Sequence, residues 1–271
     1  MVAVSAQRAK NSRVVQGLGR VGMGCYGVVH LVVAYLALRV AFGDSGEQAD
    51  QKGALQEVGA TSFGSVVLWV LAIGLFAYGA WQLMMAAVGF GWVEKRSKRT
   101  RRRISSVARA VIGITLGVYA IRLVTGSGAG QSGDQGQQEW TAKLLSLPAG
   151  PALVAIVAAI VIGVAVAEIR RGIRKSFLQD LNLHELPAGT QKWVRRLGVI
   201  GYLAKGVVFG IIGILLAVAA FQSDAKEAGG LDRALKTLAA QPFGTVALVL
   251  VAIGLAAFGV YCFAAARAHK S

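Results

Sequence analysis

Five side chains carry the chemistry that this chain places inside apolar surroundings: Tyr26, His30, Arg109, Tyr202 and Lys205. His30 lies ten residues past Arg20, about 15 Å along a helix at 1.5 Å per residue. It shares a helix face with Tyr26 and Gly22, one and two turns before it. An ionisable group that deep in a bilayer is costly and marks a candidate functional site. Every embedded charge is basic, so the candidate chemistry is capture of a small anion or a lipid headgroup. The competing reading makes His30 a neutral imidazole that donates to Tyr35 or to a backbone carbonyl of a neighbouring helix. Under that reading Arg109 and Lys205 run their stems back to the headgroups, as do Arg39 and Arg122 at the other ends of their runs.

Other chemistries find no residues. The apolar runs hold no Ser/His/Asp or Cys/His set, no paired aspartates and no metal-ligand spacing. No catalytic residue, metal site or cofactor site is therefore assigned, and the chain is read as a non-enzyme. Gly22-x-Gly24 continuing to Gly27 has no preceding strand, so no dinucleotide site follows, and there is no P-loop. Ion-driven pumps place carboxylates in the membrane. Here the nearest is Glu168, at the inner end of the fourth run, where it is expected to pair with a loop cation. Cys25 and Cys262 both fall inside apolar runs and are expected to stay unpaired.

The elements that must position these residues are membrane-spanning helices. The chain of 271 residues is 55% hydrophobic and 15% charged, with mean hydropathy +0.57. About a quarter of the residues are charged in a soluble domain. Stretches at roughly 21–42, 65–90, 104–124, 151–167, 197–221 and 245–266 meet the need for ~20 apolar residues per crossing, the fourth being the shortest. The fold class expected is all-α, polytopic, with six transmembrane helices.

The net charge of +16 is distributed as a topology signal. The N-terminus, the second and fourth loops and the C-terminus hold 20 Lys/Arg against 4 acids, whereas the first, third and fifth loops hold 5 against 9. Short basic loops stay cytoplasmic, so both termini are expected inside, in a bacterial cytoplasmic (plasma) membrane. The same loops are expected to meet anionic lipid headgroups. No nucleic-acid partner is expected, because no aromatic platform or reading motif accompanies the charge. The first run is too long for the apolar core of a signal peptide and is read as an uncleaved span. Trp92, Trp140 and Trp193 are expected at the interfaces.

The spans repeat. Residues 53–87 and 233–267 are nearly one segment written twice, with Phe63-Gly64 and Ala72-Ile73-Gly74-Leu75 falling on Phe243-Gly244 and Ala252-Ile253-Gly254-Leu255. Arg20-Val21-Gly22 before Tyr26 matches Arg196-Leu197-Gly198 before Tyr202; the diverged middle copy begins Arg103-Ile104-Ser105 and places Arg109 at the tyrosine position. Gly113 and Gly206 are the equivalents of His30. Each copy is a span, a short interfacial helix (53–60, 138–147 and 231–240) and a second span. The segment 126–133 reads as a flexible linker. After a basic segment at 1–19 the copies occupy 20–92, 103–176 and 195–267. Repeats with an even number of spans share one orientation, so a pseudo-threefold axis along the membrane normal is expected.

These motifs resemble a family of actinobacterial membrane proteins numbered 1206 among the domains of unknown function. The resemblance rests on Arg-x-Gly-x-x-x-Tyr opening an odd span, the Pro-Phe-Gly turn, and the Ala-Ile-Gly-Leu-x-x-(Tyr/Phe)-Gly run. It implies three two-helix copies and no particular activity, ligand or catalytic residue. Two functions follow from the residues. One is a non-enzymatic scaffold or accessory protein working through its basic loops. The other is a passive conduit or binding protein for an anionic solute or headgroup on the axis, near His30, Arg109 and Lys205.

Overall fold

The computed structural model describes residues 13–43, 48–91, 93, 96–127, 132–182, 184 and 186–268. Most of the 1–19 segment, residues 128–131 of the 126–133 linker, Trp92 and His269 lie outside them. Among the described residues there are nine α-helices and no strand. They run α1 (Arg13–Ala41), α2 (Gln51–Gly59), α3 (Gly64–Val88), α4 (Arg96–Val124), α5 (Gly133–Leu145), α6 (Gly150–Ile173), α7 (Ala188–Gln222), α8 (Leu231–Ala239) and α9 (Gly244–Ala268). Six of them, α1, α3, α4, α6, α7 and α9, are long and apolar enough to cross a membrane. The fourth of these is the shortest, as expected, with 24 residues where its fellows have 25 to 35. It continues as helix past the expected limit of 167 through Glu168, Arg170 and Arg171 to Ile173, because nothing in that polar tail breaks the helix.

The short helices α2, α5 and α8 are each built to stop and turn the chain. Asp50 caps α2 by accepting from the Gly53 N–H, and Ser132 with Gln135 forms a reciprocal capping box on α5. Each short helix is followed, after a turn of four residues, by a glycine that opens the next long helix. Gly64, Gly150 and Gly244 donate their N–H to the carbonyls of Thr61, Leu147 and Gln241 at 2.7–2.8 Å. In each case the space a Cβ would need is filled by backbone carbonyl oxygen of the preceding short helix, from Gly59, Leu145 and Ala239. The three turns are one device used three times.

The long helices form a ring. Contacts between successive repeats are α3 on α4, α6 on α7, and α9 closing back on α1. Within repeats α1 packs on α3 and α7 on α9, but α4 and α6 make next to no contact. The ring therefore has five closed seams and one open seam, and the open one is internal to the middle repeat. Small residues explain the difference. A side chain on Gly74 would run into Cys25, and one on Gly254 into Ala204, so glycine permits the close approach of helices on which association in lipid depends. At the same offset from the turn the middle repeat carries Ile160, which is 61% exposed. Only 17% of the α6 apolar window is buried against the protein, compared with 61% for α1.

One end of the ring carries the basic loops; the opposite end carries the three short helices and is closed by three aspartates. Asp134 of α5 accepts from the backbone N–H of Gly230 (2.6 Å) and Arg233 (2.9 Å) in the third repeat. Asp232 of α8 accepts from Ala49 N–H of the first repeat at 2.9 Å. Asp50 of the first repeat lies against Gly133 of the second, where its carboxylate leaves no room for a Cβ. Each repeat thus hands one carboxylate to the next, and the cycle closes. Burial, then the charges of its two neighbours, raises the Asp50 carboxyl above the ordinary carboxylate range, although its bond from Gly53 pulls the other way. Asp134 is raised as well, by burial and by Asp232, against the pull of the Gly230 N–H.

Candidate functional site

Toward the basic end, side chains from all six long helices converge on a recess at the ring's centre. α1 contributes Met23 and Tyr26, α3 Tyr78 and Gln82, α4 Arg109, α6 Glu168 and Arg171, α7 Tyr202 and Lys205, and α9 Phe258, Tyr261 and Cys262. Asp180, on a short 3-10 turn at Ser176–Asp180 after α6, forms part of the rim. The centre of a water molecule can occupy about 50 Å³ of it, room for a few waters or one small polyatomic group.

The walls are aromatic. Tyr26 stacks on Tyr78 at 4.9 Å between ring centroids, and Tyr202 stacks on Phe177 at 5.1 Å. Phe258 stands edge-on to both Tyr26 and Tyr202. Gln82 donates to the Tyr78 hydroxyl at 2.9 Å. These contacts fix the wall, so its polar tips are held rather than free to swing.

The charges fall into two groups. Asp180 is fully engaged at the rim: Arg102 and Arg171 both bridge it, the latter at 3.0 Å, and the Arg171 guanidinium also lies 4.8 Å over the Tyr202 ring. Deeper in, Lys205 places its ammonium 4.1 Å from the centre of the Phe258 ring. Among the described residues neither Lys205 nor Arg109 makes a hydrogen bond or an ion pair, and Glu168 Oε2 is buried with no hydrogen-bond partner. A charge withdrawn from water without a partner is costly. Three half-buried ones around one cavity form a site with both donors and an acceptor unspent.

The structure thus brings together four of the five residues singled out from sequence: Tyr26, Arg109, Tyr202 and Lys205 line the recess. His30 does not. It is buried one turn deeper, packed edge-on to the Tyr26 ring at 4.4 Å and against Phe258 at 5.0 Å. Its Nδ1 lies 2.9 Å from the Tyr26 carbonyl oxygen, which only accepts, so Nδ1 carries the proton. The acceptor belongs to its own helix rather than a neighbour, and Tyr35 is half exposed and takes no part.

Two further expectations are corrected. The embedded charges are not all basic in effect, because Glu168 faces the recess and, among the described residues, makes no pair with a loop cation. Arg39 turns to Glu57 of α2 at 3.6 Å instead of standing alone at an interface. Cys25 and Cys262 are free and buried, as expected. No group of three or more His, Cys, Asp or Glu suited to a metal ion occurs among the described residues.

The residues that sequence reasoning missed had a signal. Counted from the turn glycines Gly64, Gly150 and Gly244, the positions Gln82, Glu168 and Cys262 are equivalent, as are Met85, Arg171 and Ala265. All six but Met85 line the recess. At the odd-span position the set is Tyr26, Arg109 and Tyr202. In all three sets the neutral members come from the first and third repeats and the charged member from the middle one. Divergence of the middle copy is concentrated where the copies meet on the axis.

The family model for the Domain of Unknown Function (DUF1206) matches the chain three times, over residues 21–89, 104–175 and 200–269. The chain is also 29% identical over 247 residues to a protein of Bacillus subtilis (strain 168) named "Uncharacterized protein YxxB", a match covering 91% of this chain and 88% of that one. No solved structure matches.

Proposed function

The chain belongs to the DUF1206 family, and from that premise we propose that it is a non-enzymatic accessory protein of a bacterial cytoplasmic membrane that holds an anion-bearing group in its axial recess. One observation carries this reading: Arg109 and Lys205 reach the recess with no acceptor among the described residues. An anion there supplies what the protein withholds, through charge-assisted hydrogen bonds. The non-enzymatic part is supported by Cys262, the thiol that lines the recess, which makes no hydrogen bond to a base among the described residues.

Native mass spectrometry of protein purified in mild detergent tests the site. Wild type is expected to retain an anionic adduct, and Arg109→Gln and Lys205→Gln to lose it while remaining folded. Equal adducts in all three proteins rule the site out. The basic runs further support an orientation with the recess end in the cytoplasm and the aspartate-linked end outside, the basic loops meeting anionic lipid. Exposed Trp140 and Trp193, near opposite ends, fit two interfaces. With Cys25 and Cys262 removed, Ser223→Cys should react with an impermeant thiol reagent added outside and Ser97→Cys should not; the reverse pattern overturns the orientation.

A further inference from the structure

The recess has a side door. Five seams of the ring are closed by packed helices, and the sixth, between α4 and α6, is not. The two helices that border it supply Arg109 on one edge and Glu168 with Arg171 on the other, so the charged lining sits at the seam itself. The outward faces of both helices are apolar: Val107, Val111 and Val118 are exposed on α4, and Ile156, Ile160 and Val164 on α6. A bilayer surrounds these faces, and a chain with an apolar tail can lie between them while its head reaches the axis. A purely water-soluble ion gains nothing from such a slot.

The unspent groups define the head. Among the described residues Arg109 and Lys205 are donors lacking an acceptor, and Glu168 Oε2 is a buried acceptor lacking a donor. A simple anion answers the first two and leaves Glu168 worse off, since like charges repel. A head carrying a phosphate and a primary ammonium a few bonds apart answers all three. Resting on the anion-site reading above, we propose that the recess is filled from the bilayer, through the open α4/α6 seam, by an aminophospholipid. Its phosphate meets Arg109 and Lys205, its ammonium meets Glu168, and its acyl chains lie in the seam.

The position of Glu168 gives a clean variant. The first repeat carries Gln82 at the same place, so Glu168→Gln installs a residue the fold already accepts there. It keeps the shape and removes only the negative charge. The experiment is native mass spectrometry of wild type, Glu168→Gln and Arg109→Gln in detergent, each titrated with dioleoyl phosphatidylethanolamine, dioleoyl phosphatidylglycerol or water-soluble O-phosphorylethanolamine. Wild type is expected to keep one phosphatidylethanolamine through detergent exchange and to prefer it over phosphatidylglycerol. Glu168→Gln should lower that preference about tenfold, the scale of one charge-assisted bond, with total lipid retained. Arg109→Gln should weaken both lipids, and O-phosphorylethanolamine should displace neither from wild type.

If O-phosphorylethanolamine binds wild type as tightly as the lipid does, the ligand comes from water and the seam proposal falls, while the anion site stands. If Glu168→Gln leaves the headgroup preference unchanged, the ammonium assignment is wrong. If neither variant alters any adduct, the recess binds nothing and both readings fall together.

Discussion

The two ends of the ring use the same threefold arrangement in opposite ways. At the aspartate-linked end the repeats are kept alike. Three turn glycines face the same carbonyl oxygens, and Asp50, Asp134 and Asp232 each reach the neighbouring repeat. At the basic end they are kept different. Tyr26 and Tyr202 face Arg109, and Gln82 and Cys262 face Glu168. Equivalence closes the first end, because every donor and acceptor has its counterpart one repeat on. Divergence leaves the second end with unspent charges that no neighbour satisfies. Replacing glycine by Ile160 where α6 would approach α4 belongs to the same divergence, since it leaves the seam beside those charges unpacked.

If that contrast is right, damage to the alike end should cost stability and damage to the unlike end should cost binding. The largest effect is expected from Gly244→Ala, whose Cβ has no room beside the carbonyls of Leu238 and Ala239. Overpacking of this kind costs about 3 kcal/mol, read as a drop in thermal unfolding temperature in detergent. Gly163→Ala is the control, because nothing lies within 4 Å of a Cβ there; it should be neutral or stabilising by up to about 1 kcal/mol. Equal losses in the two variants would mean the turn is no hinge.

Next in size is Asp134→Asn. The carboxylate accepts two backbone N–H bonds through its two oxygens, and an amide has one acceptor oxygen to offer. Leaving one buried donor unmatched costs about 2 kcal/mol. Denaturation monitored by helix loss should register it, with lipid adducts unaltered. A lost adduct at unchanged stability would reverse the roles assigned to the two ends.

His30 separates the floor of the recess from its lining. Removing a buried ring packed on Tyr26 and Phe258 should destabilise His30→Ala by about 2 kcal/mol. Adduct retention should match wild type, and a clear loss of adduct in His30→Ala would put the imidazole back in the site.

The smallest effect is a pH dependence confined to the aspartate-linked end. Asp50 and Asp134 have carboxyls raised above the ordinary value by burial, which is about 3.9 in the unfolded chain. Between the unfolded and the folded values the folded protein binds more protons, so stability rises as pH falls through that window. Above the folded value the full cost of keeping the group charged is present. Thermal unfolding from pH 7 to pH 4.5 should therefore show a gain of under about 1 kcal/mol in wild type, reduced in Asp50→Asn. A steady loss of stability on acidification would contradict the burial of these groups.

Much of this was legible in the chain because it depends on periodicity. The apolar lengths set six spans, and the recurrence of Phe-Gly and Arg-x-Gly motifs set three copies and placed short helices before each turn. The equivalence of Tyr26, Arg109 and Tyr202 pointed to the axis. What was not legible depends on direction and partnership. His30 has the expected depth, but one helical turn past Tyr26 places it beneath the recess. Glu168 looked like a loop-facing residue because the fourth apolar run stops at 167; only counting from Gly150 reveals it as the counterpart of Gln82. Asp180 arrives from a short turn after α6, which no local pattern predicts. The three aspartates stand at differing offsets from their helices, Asp50 as a cap and Asp134 and Asp232 inside the first turn, so no shared spacing marks them.

The central claim is that the middle repeat gave up packing for binding, and Arg109→Tyr addresses it most directly. The substitution restores the residue that the first and third repeats carry at this position. Thermal unfolding and native mass spectrometry on the same purified sample read stability and adduct together. The account predicts an unfolding temperature at or above that of wild type, because a half-buried cation with no ion pair among the described residues has been removed, together with loss of the retained adduct. An adduct kept at wild-type level, or a destabilised protein that has lost nothing else, would contradict it.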